Sequence, residues 1–230
     1  LTDYNFQAGE LLLIDKPYRW TSFDVVNKIR FIARKKSGIK RIKVGHAGTL
    51  DPLATGLLLI CTGKKTKEIE SFQALEKEYT GTFYLGATTP CFDLEQPIDK
   101  RFDISEITPE QLMLVKEQFV GEIEQTPPVY SAIKVEGKRA YDYARNDEEI
   151  KLKAKKVVVY EFELTRIALP EVDFRIRCSK GTYIRSIARD FGEALNSGAH
   201  LTALRRTRIG EYSVVNALDP DAFKQTVAMD

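Results

Sequence analysis

The sequence predicts an α+β fold in which strands and helices are interspersed along the chain. Three observations carry this. Strand-like stretches recur at 11–14, 77–86, 157–169 and 172–178. Segments with apolar residues at helical spacing open on capping signals at Thr21, Thr108 and Thr182. The 230 residues, 43% hydrophobic and 30% charged, can bury a full core as one large domain or two lobes.

The first ten residues carry no usable signal. Leu11-Leu-Leu-Ile14 reads as a short buried strand closed by Asp15-Lys16-Pro17. Thr21 with Asp24 forms a capping box, and Val25, Val26, Ile29 and Ile32 follow at helical spacing, so a helix is predicted from about Ser22 to Arg34. Its polar face carries Lys28, Arg30 and Arg34, and a basic loop at 35–41 leads into the stretch Lys43 to Gly56. There Gly45 and Gly48 permit backbone angles that other residues avoid, and Pro52 pushes Asp51 into an extended or turn conformation. Such a turn can fix a short carboxylate at the rim of a core. Gly56 then opens an apolar run, Leu57 to Cys61, that suits a buried strand or a helix segment. Gly63-Lys64-Lys65-Thr66 fails as a phosphate-binding loop, because Lys65 and Leu58 stand where that loop needs a hydroxyl residue and a glycine.

Lys77 to Gly86 alternates as a half-buried strand ending in a turn. Thr108-Pro109-Glu110-Gln111 opens a second helix with Leu112, Val115 and Phe119 buried and Gly121 as its stop. Pro127-Pro128 bars a helix, and the stretch on to Lys156 interleaves Arg139, Tyr141, Tyr143 and Arg145, a composition suited to clasping RNA by stacking and phosphate contact. Two strands at 157–169 and 172–178 form an antiparallel pair about Pro170. Thr182 is expected to cap a helix that buries Ile184, Ile187, Ala188, Phe191 and Leu195 and ends at Asn196-Ser-Gly198. Asp219-Pro220 caps a short last helix.

Composition narrows the chemistry. Cys61, Cys91 and Cys178 are odd in number and far apart, which fits a reducing cytoplasm and neither a disulfide framework nor a metal-ligand spacing. With His46 and His200 the only histidines, a zinc site is not expected, and no apolar run is long enough for a membrane span. Net charge is only +2, but it is polarised. Lys28 to Lys43 holds eight basic residues and no acid; Arg175 to Arg208 holds eight against Asp190 and Glu193; Asp93 to Glu124 holds nine acids against three bases. Such a distribution can steer a phosphate backbone onto one face.

Gly45-His46-Ala-Gly48-Thr49-Leu50-Asp51-Pro52-Leu-Ala54-Thr55-Gly56 resembles the signature of the TruB-type tRNA pseudouridine synthases, at the place where that family keeps its nucleophilic aspartate. Lys16-Pro17, Lys77-Glu78-Tyr79, Lys180-Gly-Thr-Tyr183-Ile-Arg185 and Ser197 to Arg206 resemble its other motifs in the expected order. The resemblance implies a pseudouridine synthase fold: a central, mainly antiparallel mixed sheet flanked by helices, with an RNA-binding cleft and a thumb insertion at about 126–156. It implies one catalytic domain over 1–230, lacking the C-terminal RNA-binding PUA domain that family members commonly carry.

The activity implied is isomerisation of uridine 55 in the T-loop of tRNA, with the T-arm stem-loop as partner, a monomeric cytoplasmic enzyme, and no cofactor, metal or membrane. Asp51 would be the nucleophile, Arg185 its charge-assisted partner, and Tyr79 would stack on the base and move a proton. His46 would fill the space of the flipped base, and Tyr183 and Leu204 would wall the pocket. Arg41, Lys43, Arg145 and Lys180 would contact RNA. Lys16 and His200 read as structural. Two rivals differ in class: a glycosidase, which needs a second carboxylate that the Asp51 stretch does not offer, and a non-catalytic RNA-binding or RNA-folding module, which explains the basic runs but not the Asp51 turn.

Overall fold

The computed structural model describes residues 4–131, 134–135, 138–139, 143 and 152–228. Internal contacts divide the chain into two units, Leu1–Tyr79 with Leu204–Asp230, and Thr80–Ala203. The chain passes between them within two strands, β4 (Lys77–Leu85) and β12 (Ala199–Ile209).

In the first unit the central strand is β3 (Thr55–Thr62), which pairs antiparallel with β1 (Leu11–Lys16) and β2 (Val44–His46) and parallel with the end of β12 through Arg206 opposite Gly56. Leu58 and Ile60 face a core with Val25, Ile29 and Ile32 of α1 (Ser22–Ser37) and Phe223 of the last helix, α5 (Pro220–Ala228). Leu57, Leu59 and Cys61 face a second core with Phe72 of α2 (Ile69–Ala74) and Ile209. A strand buried on both faces loses its alternation. That is why the apolar run at 57–61 left strand and helix open.

The Thr21–Asp24 capping box of α1 is present as predicted. The helix runs three residues beyond Arg34, because Gly38, at φ 69°, supplies the left-handed stop. Tyr4 and Phe6 stack at 5.5 Å and Phe6 meets Phe223 edge-on, so these two residues of the silent opening stretch pack in the core. Gly45 differs from expectation. It lies in β2 outside the left-handed region and is small for space, a Cβ there standing 2.7 Å from Ile69 Cδ1. Gly56, at φ 107°, does need its freedom, and its added Cβ would stand 2.3 Å from the Arg206 carbonyl oxygen.

In the second unit the strand order is β12–β4–β11–β10–β7, with β10 (Lys155–Ala168) antiparallel to both β11 (Glu171–Cys178) and β7 (Gly121–Gln125). Phe83, Phe119, Phe162, Phe174 and Phe191 form its core, with Phe83 and Phe174 stacked at 4.2 Å. These rings come from β4, β10, β11, α4 (Ile184–Ala194) and the residues after α3 (Pro109–Glu117). Small two-stranded pieces, β5 (Ala87–Thr88) with β6 (Lys100–Arg101) and β8 (Lys134–Val135) with β9 (Lys138–Arg139), complete the unit.

Two expected boundaries move. Helix α3 ends at Glu117 with Gln118 as its cap, and Gly121 instead opens β7. Helix α4 is capped by Tyr183 in extended conformation, not by Thr182, whose hydroxyl donates backward to the Ser179 carbonyl at 3.0 Å. Its start is held instead by Gln125, whose amide oxygen accepts from Tyr183 N–H at 2.7 Å and whose amide nitrogen donates to the Tyr183 carbonyl at 3.1 Å. Tyr141, Arg145 and most of the segment expected as a thumb lie outside the described residues.

Candidate active site

The turn from Gly48 to Pro52 is held by two buried cations that bond to backbone carbonyls. Lys16, at the end of β1, has no exposed surface, and its ammonium donates to the carbonyls of Trp20 (2.6 Å), Pro17 (3.0 Å) and Pro52 (3.2 Å). Three acceptors match the three protons of an ammonium. Arg206, 1% exposed on β12, donates from Nε to the Leu57 carbonyl (2.8 Å), from Nη2 to Gly48 (3.1 Å) and from Nη1 to Thr49 (3.4 Å). Ser22, the first residue of α1, closes the frame, its hydroxyl accepting from Leu50 N–H at 2.9 Å and donating to the Leu50 carbonyl at 3.1 Å.

Asp51 sits half-buried at the tip of this frame, its carbonyl accepting from Ala54 N–H at 3.1 Å. The hydrogen bonds of both cations go to backbone carbonyls of the turn and its neighbours. Burial pushes the Lys16 ammonium down to about 8, Arg206 pushes the same way, and the Asp51 carboxylate pulls it back up. His46, at the end of β2, is half-buried, and its Nδ1 makes no hydrogen bond among the described residues. Burial holds its imidazole below the usual value, Arg206 adds to this, and the Gly48 backbone only partly offsets it. The lowered value favours the neutral ring at neutral pH.

Lys16 had read as a packing residue, and Arg206 had no assigned role; both prove to hold the turn. A buried cation is spelled like an exposed one, and only the resemblance of Lys16-Pro17 to a family motif hinted at more. Leu204 is half-buried on β12, beside Arg205, whose guanidinium grips Asp15 with two bonds of 2.6 and 3.0 Å. Tyr79 is buried on β4 (9% exposed), and Arg41 and Lys43 are exposed on the approach to β2. The first unit thus carries Arg41, Lys43, His46, Asp51, Tyr79 and Leu204.

Lys180, Tyr183 and Arg185 belong to the second unit. Arg185 is 4% exposed in the first turn of α4, donating to the carbonyls of Tyr130 (2.9 Å) and Cys91 (3.2 Å), with its Nε 3.7 Å from the buried Asp93 carboxylate. Asp93 was counted at the head of the acidic stretch, and sequence alone gave no sign that it would sit inside, beside an arginine. His200 is structural as expected, with Nδ1 2.9 Å from the Ala87 carbonyl. Among the described residues no cluster of His, Cys, Asp and Glu could hold a metal ion, and no helix is long and apolar enough to cross a membrane.

Residues 34–184 match the TruB family pseudouridylate synthase N-terminal domain, and residues 185–229 the tRNA pseudouridylate synthase B C-terminal domain. The chain is 56% identical over 228 residues to the tRNA pseudouridine synthase B of Flavobacterium johnsoniae, covering 99% of this chain and 100% of that one. It is 58% identical over 221 residues to that of Phocaeicola vulgatus, covering 96% and 94%. Among solved structures it is similar to a chain of the archaeal box H/ACA sRNP Nop10–Cbf5 complex (TM-score 0.69, 25% identity, 97% of this chain and 55% of that one). It is also similar to a chain of a Cbf5–Nop10–Gar1 complex (TM-score 0.66, 30% identity, 90% and 51%). The chain spans about half the length of those two. The carboxylate-bearing turn, the elements that frame it and the matched residues agree: the chain belongs to the TruB family of pseudouridylate synthases.

Proposed function

We propose that this protein isomerises uridine to pseudouridine in the T-loop of tRNA, at position 55, acting as a cytoplasmic monomer without cofactor or metal. The observation that supports this most is the Asp51 turn, whose backbone is fixed by Lys16, Arg206 and Ser22 while its carboxylate is only half-buried. In the reaction the bond from ribose C1′ to N1 breaks, the uracil turns, a bond forms from C1′ to C5, the C5 proton leaves to solvent and N1 takes up a proton in its place. The Asp51 carboxylate serves as the covalent nucleophile.

Roles for the remaining residues follow the motifs they occupy. Arg185 orients the nucleophile, Tyr79 stacks on the uracil and moves a proton, Tyr183 and Leu204 wall the pocket, and His46 fills the space left by the flipped nucleotide. Arg41, Lys43, Arg145 and Lys180 meet phosphates. The chain is read as a single catalytic domain, 126–156 forming its thumb.

The test is incubation with an unmodified tRNA transcript carrying tritium at uridine C5, followed by mapping of pseudouridine. Release stoichiometric with one pseudouridine in the T-loop is expected, and none from Asp51→Asn, which still binds the RNA. Binding by the wild type without tritium release would overturn the reading in favour of a binding module.

A further inference from the structure

Helix α1 carries a second face, turned away from the core. Phe23, Asn27, Arg30, Phe31 and Arg34 are spaced i, i+4, i+7, i+8 and i+11, which is one stripe of a helix. The opposite stripe, Val25, Val26, Ile29, Ile32 and Ala33, is in the core. Phe23 and Phe31 are 61% and 62% exposed, and phenylalanine is not a residue that helix propensity favours on a solvated face. Arg30 lies between them, its guanidinium 6.0 Å over the Phe23 ring and bonded to Asn27 and to the Val44 carbonyl. Of the eight basic residues from 28 to 43, only Lys28 has a carboxylate partner among the described residues, Asp221 of α5 at 2.8 Å, and Lys28 is off this stripe. The one acid in the first turn, Asp24, is engaged by Thr21 in the capping box.

Exposed rings alternating with unneutralised arginines fit a partner with flat faces and negative charge. The helix begins at the Asp51 turn, where the Trp20 and Pro52 carbonyls share the Lys16 ammonium, and 16 residues carry it about 24 Å away. Phe31 stands about 12 Å further along than Phe23. A nucleotide that reaches Phe31 is therefore not the one presented to Asp51.

We infer that the outward stripe of α1 is a docking surface for RNA outside the target loop, with unpaired bases stacked on Phe23 and Phe31 and phosphates against Arg30 and Arg34. This rests on the proposed function for the identity of the RNA. It adds a second contact, remote from the reacting base.

The experiment compares Phe23→Ala/Phe31→Ala with wild type on a full-length tRNA transcript and on an isolated T-arm stem-loop, by tritium release. The KM for full-length tRNA should rise about tenfold with kcat unchanged, and the KM for the stem-loop should stay within about twofold. Phe23→Tyr/Phe31→Tyr, which keeps the stacking faces, should restore the wild-type KM, and thermal melting should be the same for all three proteins. An unchanged KM on full-length tRNA overturns the inference, as does an equal rise on both substrates, which places the contact inside the loop. Loss of binding to phosphatidylserine-containing vesicles with KM unchanged would assign the face to lipid and overturn it too. If the wild type releases no tritium, the proposed function fails separately, and filter binding of the same two RNAs still decides this surface.

Discussion

The two basic runs contain the same number of cations and use them in opposite ways. In the run from Arg175 to Arg208, Arg175 and Arg177 pair with Glu161 and Glu163 across the β10–β11 hairpin, Arg185 faces Asp93, Arg189 pairs with Asp190, and Arg205 grips Asp15. In the run from Lys28 to Lys43 only Lys28 is paired among the described residues. A count of charges along the sequence treats the runs as equals. The fold cancels most of one and leaves the other to face solvent. The expectation that both would steer a phosphate backbone is therefore corrected for the hairpin arginines, whose charge is already matched by carboxylates on the neighbouring strand.

The largest effect expected from this contrast lies at Arg206, a cation matched by carbonyls instead of acids. Arg206→Met should lower stability by about 3 kcal/mol or more, because it strands the buried Leu57 carbonyl and leaves the turn carbonyls of Gly48 and Thr49 without their partner. Urea denaturation measures it, and a loss under 1 kcal/mol would show that the guanidinium is not what holds the turn. Next comes the unpaired run. Lys40→Ala/Arg41→Ala/Lys43→Ala should leave stability unchanged within about 0.5 kcal/mol, while the slope of log affinity for tRNA against log salt falls by about two to three. An unchanged slope would mean that these cations do not meet phosphate.

The pH dependence is smaller. The His46 imidazole titrates below 6.5 in the folded chain, so the unfolded chain binds more protons as pH falls through that value. Stability is then fully present above about 6.5 and declines below it, and His46→Asn should flatten that decline in melting experiments at pH 7.5 and 5.5. The smallest effect belongs to the cancelled run: Arg175→Ala should cost at most about 1 kcal/mol and leave the salt dependence of tRNA affinity as it was. A changed salt slope in that variant would erase the distinction between the runs.

Much of this was readable beforehand, for reasons that particular residues make plain. The capping boxes at Thr21–Asp24 and Thr108–Gln111 are local hydrogen-bonding devices, complete within four residues, and both formed. Thr182 offered a cap of the same kind and lost to Gln125, 58 positions away, which no local pattern encodes. The position of Asp51 was legible because a glycine-rich turn with a proline restricts the backbone on its own. The support beneath it was not. Lys16 and Arg206 lie far from the turn in sequence, and their burial follows from strand pairing that brings β1 and β12 to β3.

The separation between Arg206 and the carbonyls it holds, 157 and 158 positions, has a consequence for the protein as it is made. At about 5–20 residues per second, ribosomes that have finished the turn need roughly 8–30 s more before the arginine is even polymerised. A nascent chain thus carries the Gly48–Pro52 turn early but lacks the guanidinium that bonds its carbonyls until translation has passed β12.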